Sequence, residues 1–278
     1  MPKDLRNLPI AITGASSGIG MATAVACARA GMPVALGARR EDKLERVAEQ
    51  IRREGGRAIV VRTNVDSPAD CEALVERTIA EFGSIYSVFA NAGYGADTPI
   101  APPNAASDAD IRAMFETNFF GTLNTIRPAL PHMLKAGRGH VLICSSCLSK
   151  FALPWHTVYS ATKAAQDHIG RGLLVELKPR GIAVSTVHPI GTTTEFFEQS
   201  AARSHKAAGA ADGPKPAEIR TPRFMMQPPE TVANAIVKSL RKPRGEVWTS
   251  LPVRLAFATL TAFPGLRDAV TARKYARP

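Results

Sequence analysis

Three side chains in the middle of the sequence have the types and spacing needed to move a proton. Tyr159 and Lys163 stand four residues apart, and Ser146 precedes the tyrosine by thirteen residues. Positions i and i+4 share one face of a helix, so a helical segment would place the lysine beside the tyrosine. An isolated phenol has a pKa of about 10, too high for a base near neutral pH. A neighbouring ammonium group stabilises the phenolate and lowers that pKa, as general acid–base chemistry requires.

A glycine-rich turn near the start of the chain has the composition of a phosphate-binding loop. It reads Thr-Gly-Ala-Ser-Ser-Gly-Ile-Gly from Thr13 to Gly20, between an apolar run and a helical pattern. Glycine lets the backbone approach a pyrophosphate closely, and a helix N-terminus offers unpaired N–H donors to negative charge. The alternative is a tight turn that binds nothing. We expect dinucleotide contacts from Gly14, Ser16, Ser17, Gly18, Ile19 and Gly20.

The same turn also matches a hydrolase motif. Gly14 to Gly18 fits the Gly-x-Ser-x-Gly elbow, with Ser16 as the nucleophile and His188 as a nominal base. That elbow normally follows several strands, whereas this turn follows the first. The hydrolase alternative also leaves Ser146, Tyr159 and Lys163 without a role. We therefore favour dinucleotide binding.

The residues after the second apolar run indicate which dinucleotide is preferred. A free ribose 2′-hydroxyl usually pairs with an acidic residue in this region, but none occurs between Gly31 and Glu41. Arg39 and Arg40 stand there instead, and guanidinium groups suit a 2′-phosphate. We expect NADP(H) in preference to NAD(H), with Arg39 as the main contact. In the alternative, both arginines only face water.

Short apolar runs alternate with helical segments along the first two-thirds of the chain. The runs are apolar throughout, which is typical of parallel strands covered on both faces. Repeated βα units predict a doubly wound parallel sheet of the Rossmann type, with three α/β/α layers. The segment from Asp108 to Leu134 is expected to be mainly helical, with its end broken by Pro128 and Pro131. An edge strand is expected at residues 247–249.

We expect residues 1–278 to form one domain with two additions, a substrate lid at 195–229 and a C-terminal extension at 250–278. The lid is too long for an ordinary loop. The apolar run 253–263 is well short of the ~20 residues that span a bilayer. We favour a subunit interface for this run, and a membrane-surface anchor is the alternative. Apolar residues near the lid suit an apolar substrate: Phe196, Phe197, Phe224, Met225 and Met226.

The composition excludes several classes of protein. Four cysteines are too few for a disulfide scaffold, and Cys144 and Cys147 are expected to be inert thiols. The start of the chain has no apolar signal region, which predicts a cytoplasmic protein. The histidines show no ligand spacing, so no metal is expected. The net charge of +11 lies mostly after residue 200. It indicates a solvated basic surface or an acidic partner, but no motif for specific nucleic-acid binding accompanies it.

The motifs together resemble the short-chain dehydrogenase/reductase family, in the branch with Thr-Gly-x-x-x-Gly-x-Gly and Tyr-x-x-x-Lys. The resemblance runs from Pro9 to about Thr194. It implies a general acid/base role for Tyr159 and an orienting role for Ser146. It implies that Lys163 binds the nicotinamide ribose and lowers the tyrosine pKa, and that Asn118 holds a relay water. Further cofactor contacts implied by the family are Asn64, Val65, Asn91, Ala92, Gly93, Pro189, Thr192 and Thr194, beside Tyr159 and Lys163 themselves.

Some positions depart from the family pattern. Ala90 replaces the first asparagine of the Asn-Asn-Ala-Gly turn, and Asn64 stands where aspartate is common. Pro189-Ile190-Gly191 replaces the usual Pro-Gly. The resemblance implies an oxidoreductase that interconverts a ketone and a secondary alcohol, as a homodimer or homotetramer, and the two arginines make NADP(H) the expected cofactor. The alternative is a non-catalytic dinucleotide sensor or scaffold with the same fold.

Overall fold

A computed structural model describes residues 2–96, 98–101, 105–195 and 225–275, and it contains one large parallel sheet. The strands of this sheet are β1 (Ile10–Thr13), β2 (Val34–Ala38), β3 (Ala58–Arg62), β4 (Ser87–Ala90), β5 (Gly139–Cys144), β6 (Ile182–His188) and β9 (Glu246–Trp248). A separate two-stranded parallel sheet consists of β7 (Gly191–Thr192) and β8 (Met226–Gln227).

Helices connect the strands and cover both faces of the sheet. They are α1 (Gly18–Arg29), α2 (Glu41–Arg53), α3 (Pro68–Phe82), α4 (Asp108–Phe115), α5 (Gly121–Ile126), α6 (Ala129–Ala136), α7 (Thr157–Leu177), α8 (Pro229–Arg241), α9 (Leu251–Ala262) and α10 (Pro264–Tyr275). Local signals set their ends. Before α3, the Ser67 side chain accepts a hydrogen bond from the backbone N–H of Asp70, and Gly83 ends the helix at φ 80°.

The order of the strands places a crevice at one edge of the sheet. Their order is β3-β2-β1-β4-β5-β6-β9, and every neighbouring pair is parallel. The chain runs outward from β1 to β3 and then returns to place β4 on the other side of β1. In doubly wound sheets, ligands bind beyond the carboxyl ends of the strands at such a reversal. The doubly wound α/β fold in one domain is therefore confirmed.

The core lies in two layers because side chains alternate between the faces of a strand. Ile10 and Ile12 of β1 pack in one cluster with α1, α2 and α8. Ala11 belongs to the opposite cluster, which includes residues of α3, α6 and α7. The buried apolar strands thus explain the lack of an alternating pattern in the sequence.

The long helix expected from Asp108 to Leu134 is divided in the structure. After α4, a π-helical segment covers Glu116–Phe120, α5 follows, and α6 begins after Pro128. Pro128 interrupts the helical run as expected. The expectation for Pro131 was wrong: it lies in the first turn of α6, where its missing N–H leaves no helical hydrogen bond unmade.

The final part of the chain adds one strand and two helices to the body. The expected edge strand is present as β9, which pairs with β6. Helix α9 packs Val253 and Phe257 against a cluster that includes Cys147, Phe151 and Ile190. No helix in the described ranges is long and apolar enough to cross a membrane. Three of the residues expected near the lid, Phe196, Phe197 and Phe224, lie outside the described residues.

Candidate active site

The three residues expected to move a proton come together beyond the carboxyl end of β5. Ser146 follows β5, and its Oγ accepts a hydrogen bond from the backbone N–H of Leu148 at 3.1 Å. Tyr159 and Lys163 lie on α7, and a side-chain hydrogen bond joins Tyr159 to Ser146. The Lys163 Nζ lies 5.6 Å from the centre of the tyrosine ring. The structure therefore places a hydroxyl, a phenol and an ammonium group in one cluster.

Burial controls the electrostatics of this cluster. It raises the pKa of Tyr159, the largest effect, while the hydrogen bond with Ser146 lowers that pKa. Burial also lowers the pKa of Lys163, whose Nζ donates to the Cys144 carbonyl at 2.9 Å. Both shifts favour the uncharged forms, because a low-dielectric surrounding penalises charge. Burial and the hydrogen bond with Ser146 are the two largest influences on the tyrosine pKa, and the expected lowering by Lys163 stays a prediction.

Asn118 lies at the centre of the π-helical segment and is completely buried. Its Oδ1 accepts from the backbone N–H of Tyr94 at 2.9 Å, and its Nδ2 donates to the Tyr94 carbonyl at 2.9 Å. Nδ2 also donates to Thr162 Oγ1 at 3.0 Å, one position before Lys163. The side chain therefore joins the loop after β4 to α7. The relay-water role that the family resemblance implies stays a prediction.

The backbone carbonyl of Asn118 is also engaged by the protein. It accepts from Gln166 Nε2 at 2.6 Å and from Thr122 Oγ1 at 2.7 Å. Gln166 is fully buried on α7. Two donors thus share this carbonyl, and they fix the π-helical segment against the helix that bears Tyr159 and Lys163.

The glycine-rich turn follows β1 and opens α1, as expected. A Cβ added to Gly20 would lie 2.3 Å from the Gly14 carbonyl oxygen, and Gly14 itself has φ 65°. Ser17 forms no side-chain cap on α1, and the first turn contains no acidic residue. The N–H groups there are therefore not competed for by a local carboxylate or cap. This arrangement fits the pyrophosphate of a dinucleotide.

The turn after β4 is hydrogen-bonded to the first residue of the glycine-rich turn. The Asn91 Nδ2 donates to the Thr13 carbonyl at 2.9 Å. Thr13 Oγ1 accepts from the backbone N–H groups of Asn91 and Ala92. A Cβ on Gly93 would lie 2.9 Å from Asn118 Oδ1, so only glycine fits there without a shift. The Asn-Ala-Gly segment therefore joins the two candidate regions.

A compact group of charges lies where the 2′-phosphate was expected. The Arg40 guanidinium donates to Glu195 Oε2 at 2.8 Å and to the Oγ atoms of Ser16 and Ser17. Lys43 Nζ donates to Glu195 Oε1 at 2.6 Å. These bonds lower the pKa of Glu195 to about 2. Arg40 and Lys43 thus already hold one anionic group.

Arg39, the expected main contact, differs from its neighbour. Its side chain is exposed and forms no hydrogen bond or ion pair with another described residue. Lys43 was not expected as a ligand, because it stands inside the helical pattern of α2. The spacing of three residues between Arg40 and Lys43 could have indicated this role. Because α2 begins at Glu41, that spacing places the two side chains on the same side of the helix start.

The remaining expected cofactor residues lie in or beside the loops that follow β3 and β6. Val65 is buried, and its carbonyl accepts from Asn124. Asn64 accepts from the backbone N–H of Asp66 within the turn after β3. Thr192 Oγ1 donates to the Ile190 carbonyl at 2.9 Å. The Thr194 side chain would lie 3.0 Å from a Cβ on Gly18, so this loop passes close to the glycine-rich turn. The Pro189 carbonyl accepts from the backbone N–H of Cys147 at 3.0 Å.

Two alternative chemistries find little support in the geometry. The Ser16 Oγ accepts a hydrogen bond from Arg40, which cannot act as a general base. Cys144 and Cys147 are free and buried, and burial raises the pKa of Cys147 to about 11. A thiol with a raised pKa is a poor nucleophile near neutral pH, in agreement with the expected inert thiols.

A partly buried ion-pair cluster lies behind Ser146. Lys150 pairs with both Asp167 and Glu246, and Arg171 also pairs with both carboxylates. His188 adds its ring, and ligand atoms of Asp167, His188 and Glu246 lie within 4.8 Å of one another. Because two cationic side chains already balance the two carboxylates, we assign this as an ion-pair network rather than a metal centre.

Comparisons with known proteins agree with this geometry. The family model for short chain dehydrogenases matches residues 9–205. An uncharacterized oxidoreductase of Listeria innocua is 36% identical over 196 residues, which cover 70% of this chain and 78% of that protein. The 11-beta-hydroxysteroid dehydrogenase A of Arachis hypogaea is 38% identical over 177 residues, which cover 63% of this chain and 50% of that protein.

A solved structure extends the similarity to the fold. The alcohol dehydrogenase of the archaeon Thermococcus sibiricus, complexed with 5-hydroxy-NADP, is 27% identical with a TM-score of 0.71. The match covers 87% of this chain and 95% of that one.

Proposed function

Because the chain belongs to the short-chain dehydrogenase family and is an oxidoreductase, we propose that it uses NADP(H) to interconvert an apolar ketone and its secondary alcohol. The observation that carries this proposal is the hydrogen-bonded pair Ser146 and Tyr159 beside Lys163, at the same sheet edge as the glycine-rich turn. A dinucleotide sensor needs no proton donor, so this cluster favours an enzyme.

The chain's own residues divide the work of carbonyl reduction. Ser146 donates a hydrogen bond to the carbonyl oxygen and holds it against the phenol. Tyr159 gives its proton to that oxygen in reduction and removes it in oxidation. Lys163 binds the ribose hydroxyls and supports the phenolate electrostatically. The nicotinamide, when bound, supplies or accepts the hydride.

The preference for NADP(H) rests on Arg40 and Lys43. Together they hold the Glu195 carboxylate, which shows that their donors converge on one anionic group. A 2′-phosphate carries more charge and more acceptor oxygens than a carboxylate, and it suits a guanidinium beside an ammonium group. The NADP analogue bound to the similar alcohol dehydrogenase is consistent with this preference.

The apolar substrate class rests on the wall next to Ser146. Cys147, Phe151 and Ile190 are buried there with Phe257 of α9, and Met225 packs against them. A desolvated apolar wall favours ligands that bury hydrocarbon. The hydroxysteroid dehydrogenase among the relatives points in the same direction.

The test is turnover by the purified chain. NADPH oxidation is followed with a panel of cyclic and long-chain ketones and with small sugars, and the cofactor concentration is then varied at a saturating concentration of the best substrate. The proposal expects turnover of apolar ketones and a kcat/KM at least about 10-fold higher with NADPH than with NADH, equivalent to about 1.4 kcal/mol. Turnover confined to sugars, or a preference for NADH, would contradict it.

Self-association through α7 and α5 is part of the proposal. Val175 on α7 is 73% exposed and Phe120 beside α5 is 46% exposed, although both are large apolar residues. A symmetric dimer would bury such residues on both copies. Light scattering after gel filtration measures the mass, and Val175→Glu is expected to shift it to the monomer.

A further inference from the structure

The peptide unit between Ser146 and Cys147 is held at both of its polar ends by the residues at the end of β6. The Ser146 carbonyl oxygen lies 3.1 Å from His188 Nδ1. The Cys147 N–H donates to the Pro189 carbonyl at 3.0 Å. A peptide unit is planar, so fixing its C=O and its N–H fixes the rotation of the plane. That rotation sets the direction in which the Ser146 side chain leaves the backbone.

The contact with the Ser146 carbonyl requires a proton on His188 Nδ1, because a carbonyl oxygen only accepts hydrogen bonds. On the other side of the ring, Nε2 lies 3.0 Å from Thr186 Oγ1 and 3.4 Å from Asp167 Oδ1. In the neutral ring with its proton on Nδ1, Nε2 accepts from the Thr186 hydroxyl, which then gives up its hydrogen bond to Asp167 Oδ1. In the protonated ring, Nε2 donates toward Asp167 and the threonine hydroxyl keeps that bond. Both forms keep the proton on Nδ1. In the remaining tautomer, the Nδ1 lone pair faces the Ser146 carbonyl and accepts from the Ser149 hydroxyl, whose Oγ lies 3.2 Å away. We assign the proton to Nδ1.

The His188 ring is held rigidly by its surroundings. It is completely buried and stacks on the Trp248 indole, with ring centres 4.7 Å apart and planes 13° apart. The Trp248 Nε1 donates to Glu246 Oε2 at 3.0 Å, which ties the indole to the partly buried ion-pair cluster. The edge strand β9 therefore fixes the imidazole, and the imidazole reaches the backbone of Ser146.

We infer that His188 is a positioning residue, which aims Ser146 at the substrate oxygen by donating to the Ser146 carbonyl. This inference rests on the proposed function, because the aim of Ser146 matters only if its hydroxyl orients a carbonyl. Loss of the His188 donor leaves the Ser146 carbonyl with one donor, the backbone N–H of Ser149 at 3.1 Å. A displacement of about 1 Å in a catalytic group can cost about 100-fold in rate. The binding of NADPH uses other residues and is spared.

Two amide substitutions of His188 distinguish the effect of losing the Nδ1 contact from the effect of losing the ring. In His188→Asn, the amide nitrogen can take the place of Nδ1 and donate to Ser146. In His188→Gln, the longer side chain carries its amide toward the place of Nε2. We expect kcat to fall at least about 10-fold in His188→Gln and to stay within about 3-fold of wild type in His188→Asn. The dissociation constant of NADPH stays within about 2-fold in both.

His140→Gln is the matched control, since His140 is also completely buried and lies on the adjacent strand β5. Its ring bonds to Ser185 Oγ at 2.8 Å rather than to Ser146. Loss of a buried imidazole there is expected to lower the melting temperature and leave kcat unchanged. Equal kcat values in wild type and both His188 variants, measured well below their melting temperatures, would overturn the positioning role.

Crystal structures of the variants test the inference independently of turnover. The Ser146–Tyr159 hydrogen bond is expected to be lost in His188→Gln and kept in His188→Asn. If the wild-type chain reduces no carbonyl, the proposed function fails, and these structures still decide whether His188 orients Ser146. An unchanged Ser146 rotamer in His188→Gln would contradict the inference even in an active enzyme.

Discussion

The Lys163 ammonium lies 5.6 Å from the centre of the Tyr159 ring, on the same face of α7. Burial raises the pKa of the phenol and lowers that of the ammonium, so both shifts disfavour the charged forms and the phenol stays protonated near neutral pH. A neutral phenol is ready to donate a proton, whereas a phenolate has to be created. In the proposed mechanism, the protonated phenol is the form that carbonyl reduction requires near neutral pH.

The two reaction directions are expected to differ in their dependence on pH. Reduction needs the protonated phenol, and a raised tyrosine pKa keeps that form dominant through neutral pH. Oxidation needs the phenolate. At pH values below the pKa of the phenol, the phenolate population rises about 10-fold for each unit by which the pH increases. We expect kcat for oxidation to rise from pH 7 to pH 9 and kcat for reduction to stay flat there. Initial rates in both directions provide the measurement, and a falling oxidation rate would contradict the assignment.

Tyr159→Phe is expected to lower kcat at least about 1,000-fold, because positioned acid–base groups contribute about 10²–10⁴ in rate. NADPH binding, followed by cofactor fluorescence, is expected to change little. Tyr86→Phe is the control, since Tyr86 is also buried but accepts a hydrogen bond from Lys3 away from α7. The control retains wild-type kcat. Turnover retained in Tyr159→Phe would remove the phenol from the mechanism.

Arg40→Ala and Lys43→Ala are each expected to weaken NADPH binding about 10-fold or more, since charge-assisted hydrogen bonds contribute about 1.5–3 kcal/mol. NADH binding is expected to change less, because NADH lacks the phosphate. Arg39→Ala serves as the control, because its side chain is exposed. Titration calorimetry with both dinucleotides gives the ratios. A larger loss in Arg39→Ala than in Arg40→Ala would restore the arginine that the sequence favoured.

Gly20→Ala is expected to abolish dinucleotide binding. The added Cβ would lie 2.3 Å from the Gly14 carbonyl oxygen, which forces the turn to open. Overpacking of this kind costs about 1–3 kcal/mol in stability. Gly172→Ala in α7 is the control, because its Cβ would meet only Glu176 Oε1 at 3.9 Å. That variant is expected to bind NADPH normally, and thermal unfolding compares the stability of the two.

His140 is expected to make the protein sensitive to acid. Burial lowers its pKa from 6.5 to about 3, and its Nδ1 has no hydrogen-bond partner among the described residues. The unfolded chain then binds the proton first, so stability present above pH 6.5 is lost as the pH falls toward 3. Between pH 7 and pH 5, this histidine accounts for about 2 kcal/mol of the free energy of unfolding.

His140→Gln is expected to remove that part of the pH dependence. Urea unfolding of wild type and variant at pH 7 and pH 5 gives the difference. Asp167 and Glu246, whose pKa values are lowered, add losses at still lower pH in both proteins. The same loss between pH 7 and pH 5 in both proteins would contradict the role of His140.

The sheet and the catalytic cluster could be predicted because their signals are local. Apolar runs of four to seven residues marked the strands, and a four-residue spacing on one helix marked Tyr159 and Lys163. Parallel strands then bring their carboxyl ends to one edge, which explains why Ser146 meets them. The π-helical segment left no such signal, because Asn118 bonds to Tyr94 and Thr162 across the fold.

Contacts between distant residues could not be predicted. Glu195 follows Arg40 by 155 positions, and nothing in its neighbourhood indicates a cationic partner. His188 was considered only as a base for Ser16, because its spacing to Ser146 has no helical or strand period. Its contact with the Ser146 carbonyl depends on the side-by-side pairing of β5, β6 and β9.

Any ligand that binds Arg40 and Lys43 must displace the Glu195 carboxylate, with which both cations are paired. A ligand that displaces Glu195 must replace its negative charge beside the two cations, and a dianionic phosphate carries more negative charge than the carboxylate. A ribose 2′-hydroxyl is uncharged. If it bound there, either Glu195 would stay in place or Arg40 and Lys43 would lose their anionic partner. Discrimination between the two dinucleotides would then come from rejecting the neutral ribose as much as from attracting the phosphorylated one.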